Sequence, residues 1–195
     1  MKKIVIILFL IYYSVGLTQK PLRDSIYIKT DIFDLVYSEI LQQPKYIKYV
    51  VLCPNGSASR NGMDFYTCDS IVTSDDKDYF KNPYDKGHLA PAASFNCDLK
   101  MLNKTFTYLN CSLQQENLNR TTWKYLEERE RNLSINNNVY VEIRCIFTKN
   151  SKLLKTGATV PDGYYKTLRY SNVTEVYYFK NEKPKYTDYK KYLIK

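Results

Sequence analysis

The stretch Asp85-Lys86-Gly87-His88-Leu89-Ala90-Pro91-Ala92-Ala93 is the most informative part of this 195-residue chain. It contains the only histidine of the sequence, next to a glycine and followed by small residues. Small residues bring the backbone close to a reacting centre and leave one side chain exposed to it. We interpret the stretch as a small loop that presents an imidazole, which accepts a proton at neutral pH because its ordinary pKa is about 6.5. A purely structural histidine is the alternative.

A second informative region runs from residue 105 to residue 127. It reads Thr105-Phe106-Thr107-Tyr108-Leu109-Asn110-Cys111-Ser112-Leu113-Gln114 and continues with Asn119, Trp123 and Glu127. With these two regions the chain resembles the DNA/RNA non-specific endonuclease family, the ββα-metal or His-Me finger nucleases that include endonuclease G. The family pattern is D-R-G-H and small residues, then T-F-x-x-S/T-N-x-x-P-Q, then N-x-x-x-W-x-x-L-E. The same elements occur here in order and at matching spacing.

The resemblance implies a metal-dependent endonuclease that hydrolyses DNA and RNA with little sequence specificity. Phosphodiester hydrolysis needs a base that activates the attacking water and a cation that neutralises charge on the phosphate and the leaving oxygen. It also needs positively charged side chains that hold the phosphate. The resemblance makes His88 the general base and Asn119 the one protein ligand of a hydrated Mg²⁺, with Mn²⁺ as a substitute. The resemblance also implies that Arg60 stabilises the transition state. Asn110 and Asp85 are expected to hold these groups in place through hydrogen bonds, without contacting the substrate themselves.

Helix geometry bears on the role of Glu127. Eight residues at about 100° each amount to about 800°, so Glu127 lies on the Asn119 side of a regular helix but about 12 Å further along. The two side chains cannot easily bind one metal ion directly. Glu127 is therefore expected to hold a metal-bound water or to orient the site, which is also what the resemblance implies.

Two positions depart from the family pattern. Lys86 stands where the family has arginine, and Leu113 stands where it has proline. Lysine keeps the positive charge but lacks the planar, bidentate guanidinium. We expect Lys86, together with Arg60, to bind the phosphates of the substrate.

The secondary-structure pattern predicts an α+β domain, mainly antiparallel sheet with a metal-site helix in its second half. Residues 46–53 and 63–68 are expected to form a hairpin around the loop of Arg60, and residues 75–84 an irregular lead-in. Short strands are predicted at residues 106–110, 139–148 and 173–179. The helix should begin at a cap on Asn117, carry Trp123 as a packing residue and end near Leu133.

The first 18 residues have the layout of a signal peptide, with Lys2 and Lys3 ahead of an apolar run from residue 4 to residue 13. That run is shorter than the roughly 20 residues of a membrane span. We therefore expect no stable membrane anchor, a secreted or periplasmic protein, and one endonuclease domain over residues 19–195. An uncleaved anchor is the alternative.

All five cysteines lie beyond the predicted signal, and none forms a CxxC motif. An oxidising compartment favours disulfides, and we favour Cys53 with Cys68 because the predicted hairpin would place them side by side.

The net charge of +9 suits a polyanionic partner such as DNA or RNA. On charge alone, a soluble basic surface without a nucleic-acid ligand is the better interpretation, so charge supports a nuclease only once a site has been found. The alternatives to the endonuclease are a hydrolase restricted to one nucleic acid and a catalytically silent, secreted nucleic-acid-binding domain of the same fold. The resemblance also allows a homodimer, since many relatives are dimers.

Overall fold

The computed structural model describes residues 20–195. The predicted signal peptide, residues 1–18, lies outside the described residues. Within residues 20–195, no helix is both long enough and apolar enough to cross a membrane.

A six-stranded antiparallel sheet forms the centre of the fold, in the order β1-β2-β3-β6-β7-β8. Its strands are β1 (Ile26–Lys29), β2 (Phe33–Ser38), β3 (Gln43–Val50), β6 (Tyr140–Ile146), β7 (Gly163–Tyr170) and β8 (Val173–Lys180). Alternate residues face the core, as a half-buried strand requires. In β6, for example, Val141 and Ile143 are buried whereas Tyr140 and Arg144 are exposed. The strands predicted at residues 139–148 and 173–179 are confirmed.

A separate two-stranded ribbon leads into the predicted helix. Strand β4 (Tyr84–His88) pairs antiparallel with β5 (Cys111–Gln115). Three continuous helical segments follow, which are α3 (Glu116–Leu118), a π-helical turn (Asn119–Trp123) and α4 (Lys124–Ser134). We call residues 116–134 the site helix. This ββα unit beside a large antiparallel sheet confirms the predicted α+β, ββα-metal fold.

Short helical elements complete the described part of the chain. They are α1 (Asp76–Tyr79), α2 (Leu99–Lys104) and three single 3-10 turns at Ala92–Ser94, Tyr108–Asn110 and Tyr189–Tyr192.

The site helix packs on the inner face of the sheet through Trp123, which is fully buried. Its indole lies 5.4 Å from the ring of Tyr164 and 5.7 Å from the ring of Phe179, measured between centroids. Leu126, one turn later, is also fully buried. Burial of each such side chain stabilises the fold by about 1.5–3 kcal/mol. The predicted packing role of Trp123 is confirmed.

The predicted hairpin between residues 46–53 and 63–68 is wrong. Strand β3 ends at Val50, and its two edges are occupied by β2 and β6. No edge of β3 is left for a third strand. Tyr66 instead forms one isolated parallel bridge to Thr107.

The predicted disulfide between Cys53 and Cys68 is wrong for the same reason, because no hairpin brings the two together. Cys53 is bonded to Cys97, with 5.4 Å between the Cα atoms, and Cys68 is free. Backbone hydrogen bonds already bring these two parts of the chain together, since the Cys53 amide donates to the Ser94 carbonyl at 3.1 Å.

Four local predictions also need correction. Gly87 and His88 lie in strand β4 and not in a loop. Residues 108–110 form a 3-10 turn that precedes strand β5, where a strand was predicted. The lead-in at residues 75–84 contains the one-turn helix α1, which is capped by Asp75. The site helix is capped by the side chain of Gln115, which accepts from the Leu118 amide at 3.0 Å, and not by Asn117.

Candidate active site

A cleft of about 1030 Å³ lies between strand β4, the loop of residues 58–65 and the site helix. Five of the seven residues selected from the sequence line it, namely Arg60, Lys86, His88, Asn119 and Glu127. They come from parts of the chain separated by up to 67 positions, so the fold brings them together. Asp85 and Asn110, the other two, lie behind the lining residues.

His88 ends strand β4 and lies in the cleft between two phenylalanine rings. Its imidazole is 4.6 Å from the ring of Phe65 and 4.8 Å from that of Phe106. Burial, with the charge of Arg60 as a second cause, lowers the pKa of His88 to about 3. The imidazole is therefore neutral at neutral pH. Its Nε2 atom is buried and has no hydrogen-bond partner among residues 20–195, so none of these residues competes for a proton that the imidazole would take up.

Asn110 holds the backbone that follows His88. The side-chain oxygen of this buried asparagine accepts from the Ala90 amide at 2.8 Å, and its Nδ2 donates to the carbonyls of Ala90 and Thr105 at 2.9 Å each. The Leu89 amide also donates to the Asn110 carbonyl at 3.0 Å. Asn110 thus fixes the chain on the C-terminal side of His88, and its hydrogen bonds go to backbone atoms and not to the imidazole.

Asn119 lies in the π-helical turn and is oriented by Asp85. Its Nδ2 donates to Asp85 Oδ2 at 2.9 Å, which leaves the amide oxygen as the atom free to face a cation. Arg120 holds the same carboxylate in a bidentate contact, with Nε at 2.9 Å from Oδ2 and NH2 at 2.6 Å from Oδ1. A bidentate guanidinium–carboxylate pair gives directional rigidity. Asp85 is therefore the residue through which Arg120 and strand β4 position the Asn119 amide.

The π-helical turn changes the expected relation between Asn119 and Glu127. A π turn uses one residue more than an α turn and shifts the phase of everything that follows. The rotation worked out for a regular α-helix therefore does not apply across residues 119–123. Asn119 and Glu127 nevertheless line the same cleft.

Glu127 is influenced by the buried ion pair of Lys166 and Glu130. Burial raises the pKa of Glu127 to about 7, and the attraction of Lys166 opposes this rise. Lys166 Nζ lies 2.6 Å from Glu130 Oε1, and both side chains are completely buried. The same ammonium lies 4.2 Å from the ring centroid of Trp123. The Tyr49 hydroxyl donates to Glu130 Oε2 at 2.8 Å.

Within residues 20–195 there is no cluster of three or more histidine, cysteine or carboxylate side chains that could enclose a metal ion. One amide oxygen and one nearby carboxylate suit an ion that keeps most of its waters, and Mg²⁺ dehydrates reluctantly. The residues present therefore fit a hydrated Mg²⁺ and not a site of the structural zinc kind.

A sequence profile of the DNA/RNA non-specific endonuclease family matches residues 18–195. The chain belongs to this family. It is 30% identical over 128 residues to the proteins named Endonuclease G, mitochondrial, of Bos taurus and of Homo sapiens. Those matches cover 58% of this chain and 43% of each relative.

Among solved structures, a complex of EndoG with EndoGI, described as showing the mechanism of EndoG inhibition, has the same fold. Its TM-score is 0.77 over 87% of this chain and 80% of that chain, at 22% identity. The likeness agrees with the ββα arrangement of strands β4 and β5 and the site helix.

Sequence reasoning missed three cationic side chains of this site. Arg120, Lys124 and Arg131 all line the cleft. Each had a signal in the sequence, because Arg120 follows Asn119 directly, and Lys124 and Arg131 lie about one turn on either side of Glu127. Together with Arg60 they give the cleft an excess of positive charge, which favours the binding of anions.

Lys86 lines the cleft, but its charge is already compensated. The ammonium lies 2.8 Å from Asp64 Oδ1 and 2.5 Å from Asp76 Oδ1, and Asp76 also accepts from the Tyr108 hydroxyl at 2.5 Å. Partial burial acts to lower the pKa of Lys86, but the bonds to Asp64 and Asp76 outweigh it, so the pKa lies above its ordinary value. Lys86 therefore screens two carboxylates from the substrate.

Replacing Lys86 with alanine should raise KM for polynucleotides several-fold, because Asp64 and Asp76 then face the cleft without a counter-charge. Exposed ion pairs of this type contribute about 0.2–1 kcal/mol. Lys86→Arg should keep near wild-type KM, and adding Asp64→Asn to Lys86→Ala should restore part of the loss. Steady-state cleavage kinetics of the four proteins measure this. An arginine variant as impaired as the alanine variant would contradict the screening role.

Proposed function

We propose that this chain is a metal-dependent endonuclease that hydrolyses phosphodiester bonds of DNA and RNA with little sequence preference. The observation that carries the proposal is the single cleft that unites a neutral imidazole, an oriented amide, a carboxylate and several cations. Membership of the non-specific endonuclease family points to the same reaction class.

In the proposed reaction, His88 Nε2 takes a proton from the attacking water, because it is neutral and has no competing partner among the described residues. Arg60 lies close enough to influence His88 and is itself exposed in the cleft, so it can neutralise charge on the phosphate. Phe65 and Phe106 hold the imidazole ring in place.

We propose that Asn119 and Glu127 hold a hydrated Mg²⁺, with Mn²⁺ as a substitute. When bound, the ion supplies Lewis-acid stabilisation of charge on the phosphate and the leaving oxygen. Asp85 and Arg120 fix the amide of Asn119 for this purpose. Weak sequence preference follows if contacts go mainly to phosphates, which carry no sequence information.

Chelation should abolish cleavage, and added Mg²⁺ or Mn²⁺ should restore it. The physical reason is that the described residues offer hard oxygen ligands without a cysteine–histidine cluster. Plasmid DNA and RNA are incubated with wild type and with His88→Ala, each with and without chelator. Full activity after exhaustive chelation would exclude the metal, and nucleic-acid binding without cleavage would identify the silent binding domain.

Metal binding can be measured apart from activity. Calorimetric titration of Mn²⁺ into wild type and Asn119→Ala should show binding only, or much more tightly, in wild type. A Mn²⁺ affinity unaffected by Asn119→Ala would show that the ion is held elsewhere. Asn136, an asparagine outside the cleft, provides a control in Asn136→Ala.

We further propose that the protein is exported to an oxidising compartment, secreted or periplasmic. The Cys53–Cys97 disulfide supports this, because disulfides persist in oxidising compartments and are rare in the cytosol. The curated relatives carry the word mitochondrial in their names, so the predicted export concerns this chain and not those proteins. The homodimer stays a prediction.

A further inference from the structure

The C-terminal segment, residues 180–195, carries a dense and uncompensated positive charge. Its six lysines face two acidic side chains, Glu182 and Asp188, which leaves +4 of the +9 of the whole chain. The lysines, all exposed, are Lys180, Lys183, Lys185, Lys190, Lys191 and Lys195. None of the ion pairs found among residues 20–195 includes any of them.

The segment is held in a defined place by aromatic and backbone contacts. The ring of Tyr192 lies 5.0 Å from that of Phe179, and the ring of Tyr189 lies 6.0 Å from that of Tyr177. The Tyr192 hydroxyl accepts from the amide of Tyr186 and donates to its carbonyl, both at 3.1 Å. The lysines are therefore displayed on an ordered scaffold, which lowers the entropy lost when they bind a ligand.

The segment lies against the site helix. Thr122 Oγ1 donates to the Tyr186 carbonyl at 2.9 Å. Thr122 belongs to the same π-helical turn as Asn119, and the cleft-lining Arg120 and Lys124 flank it in the sequence. The segment that carries the uncompensated lysines therefore contacts the same helical turn that carries Asn119.

We propose that residues 180–195 form an accessory binding surface for the phosphate backbone of a polynucleotide whose scissile bond occupies the cleft. The proposal rests on the proposed function for the position of that bond. A backbone longer than the cleft presents one negative charge for about every 1.7 Å of duplex, and each phosphate that a lysine neutralises releases a condensed counterion. Ammonium groups contact phosphates without reading bases, which suits binding at any sequence.

The test compares two triple variants with equal net charge. The first carries Lys185→Gln, Lys190→Gln and Lys191→Gln. The matched control carries Lys29→Gln, Lys149→Gln and Lys155→Gln, three exposed lysines outside the segment that have no ion-pair partner among the described residues. Both sets are placed in a His88→Ala background so that a 30-bp duplex is bound and not cut, and fluorescence anisotropy is followed across salt concentrations.

The slope of log affinity against log salt should fall by about 0.9 for each phosphate contact removed, so by up to about 2.7 in the first variant. The control should keep the wild-type slope. Equal slopes in both variants, whether both unchanged or both reduced, would overturn the accessory surface.

A cleavage measurement separates this proposal from the proposed function. With His88 present, the first variant should show a raised KM on the 30-bp duplex and unchanged kinetics on a dinucleotide substrate. Loss of activity on both substrates would overturn the accessory role in favour of a structural one. If wild type cleaves neither substrate, the proposed function fails, while the anisotropy comparison still decides whether the lysines bind nucleic acid.

Discussion

Replacing His88 with alanine is expected to reduce phosphodiester cleavage by about 10²- to 10⁴-fold, the usual contribution of a general base. His88 is the only histidine in the chain, so no second imidazole can replace it. The fold should survive, because Asn110 holds the adjacent backbone through Ala90 and Thr105 without contacting the imidazole. His88→Gln, which keeps most of the volume but offers no base at neutral pH, should be equally inactive.

The measurement is initial cleavage rate at saturating metal, with thermal unfolding recorded for each variant. A rate within a few-fold of wild type in a well-folded His88→Ala protein would end the proposed mechanism. The pH profile adds a second check. Because the pKa of His88 is lowered to about 3, protonation of the imidazole should cause no loss of activity as pH falls through 6.5. A loss with a midpoint near pH 7 is expected from Glu127 instead, because burial raises the pKa of that carboxyl to about 7.

The largest effect on stability is expected from Lys166→Ala. This change leaves the Glu130 carboxylate buried without its ammonium partner, and breaking a buried pair in this way costs about 3–5 kcal/mol. The ammonium contact with the Trp123 ring is lost as well. The free energy of unfolding from urea titration measures the effect. Lys48→Ala, which removes a half-exposed lysine paired with Asp34 at 3.3 Å on the same sheet, should cost no more than about 1 kcal/mol.

A compensated variant separates the buried charge from the packing. Lys166→Met combined with Glu130→Gln removes both charges and keeps an amide oxygen that can accept from the Tyr49 hydroxyl. Most of the lost stability should return, because replacing a whole buried pair is often close to neutral. A double variant as unstable as Lys166→Ala would show that the stability does not depend on the uncompensated carboxylate.

The sequence predicted the α+β class, strands β6 and β8 and the packing role of Trp123, because these depend on local periodicity. It did not predict β1, β2 or β7, although the buried Phe33, Leu35 and Tyr37 alternate along β2. A short alternating run does not distinguish a strand from a turn when it is considered alone. The neighbouring strands that stabilise it as a strand are known only from the fold.

The hairpin and the Cys53–Cys68 pairing failed for a long-range reason. Whether a strand has a free edge depends on which strands flank it, and β3 is flanked by β6, almost 100 residues later. Strands that are close in the sequence are therefore not always neighbours in the sheet. The partner of Cys53 is set by where the chain returns at Ser94, which no local pattern reveals.

In the candidate site, the resemblance to the endonuclease family selected five side chains that line the cleft, but it did not reveal their ion-pair partners. Lys86 looked like a free cation because its partners Asp64 and Asp76 are distant in the sequence. The bidentate contact between Arg120 and Asp85 and the π-helical turn could not be predicted from the sequence either, since both depend on how strand β4 packs against the site helix.

The two walls of the cleft differ in their relation to the Cys53–Cys97 bond, because only one of them lies within the loop that this bond closes. Arg60, Lys86 and His88 lie between the two cysteines, whose sequence separation is 44, whereas Asn119 and Glu127 lie outside the loop that the bond closes. Closing a loop of this length lowers the conformational entropy of the unfolded chain, which stabilises the fold by about 4 kcal/mol. Reduction would remove this restriction, while strand β4 would keep its pairing with β5 and the site helix would keep its packing on Tyr164 and Phe179. The stability of the wall that carries the proposed base therefore depends on the ambient redox potential, whereas that of the wall that carries the proposed metal-binding amide does not.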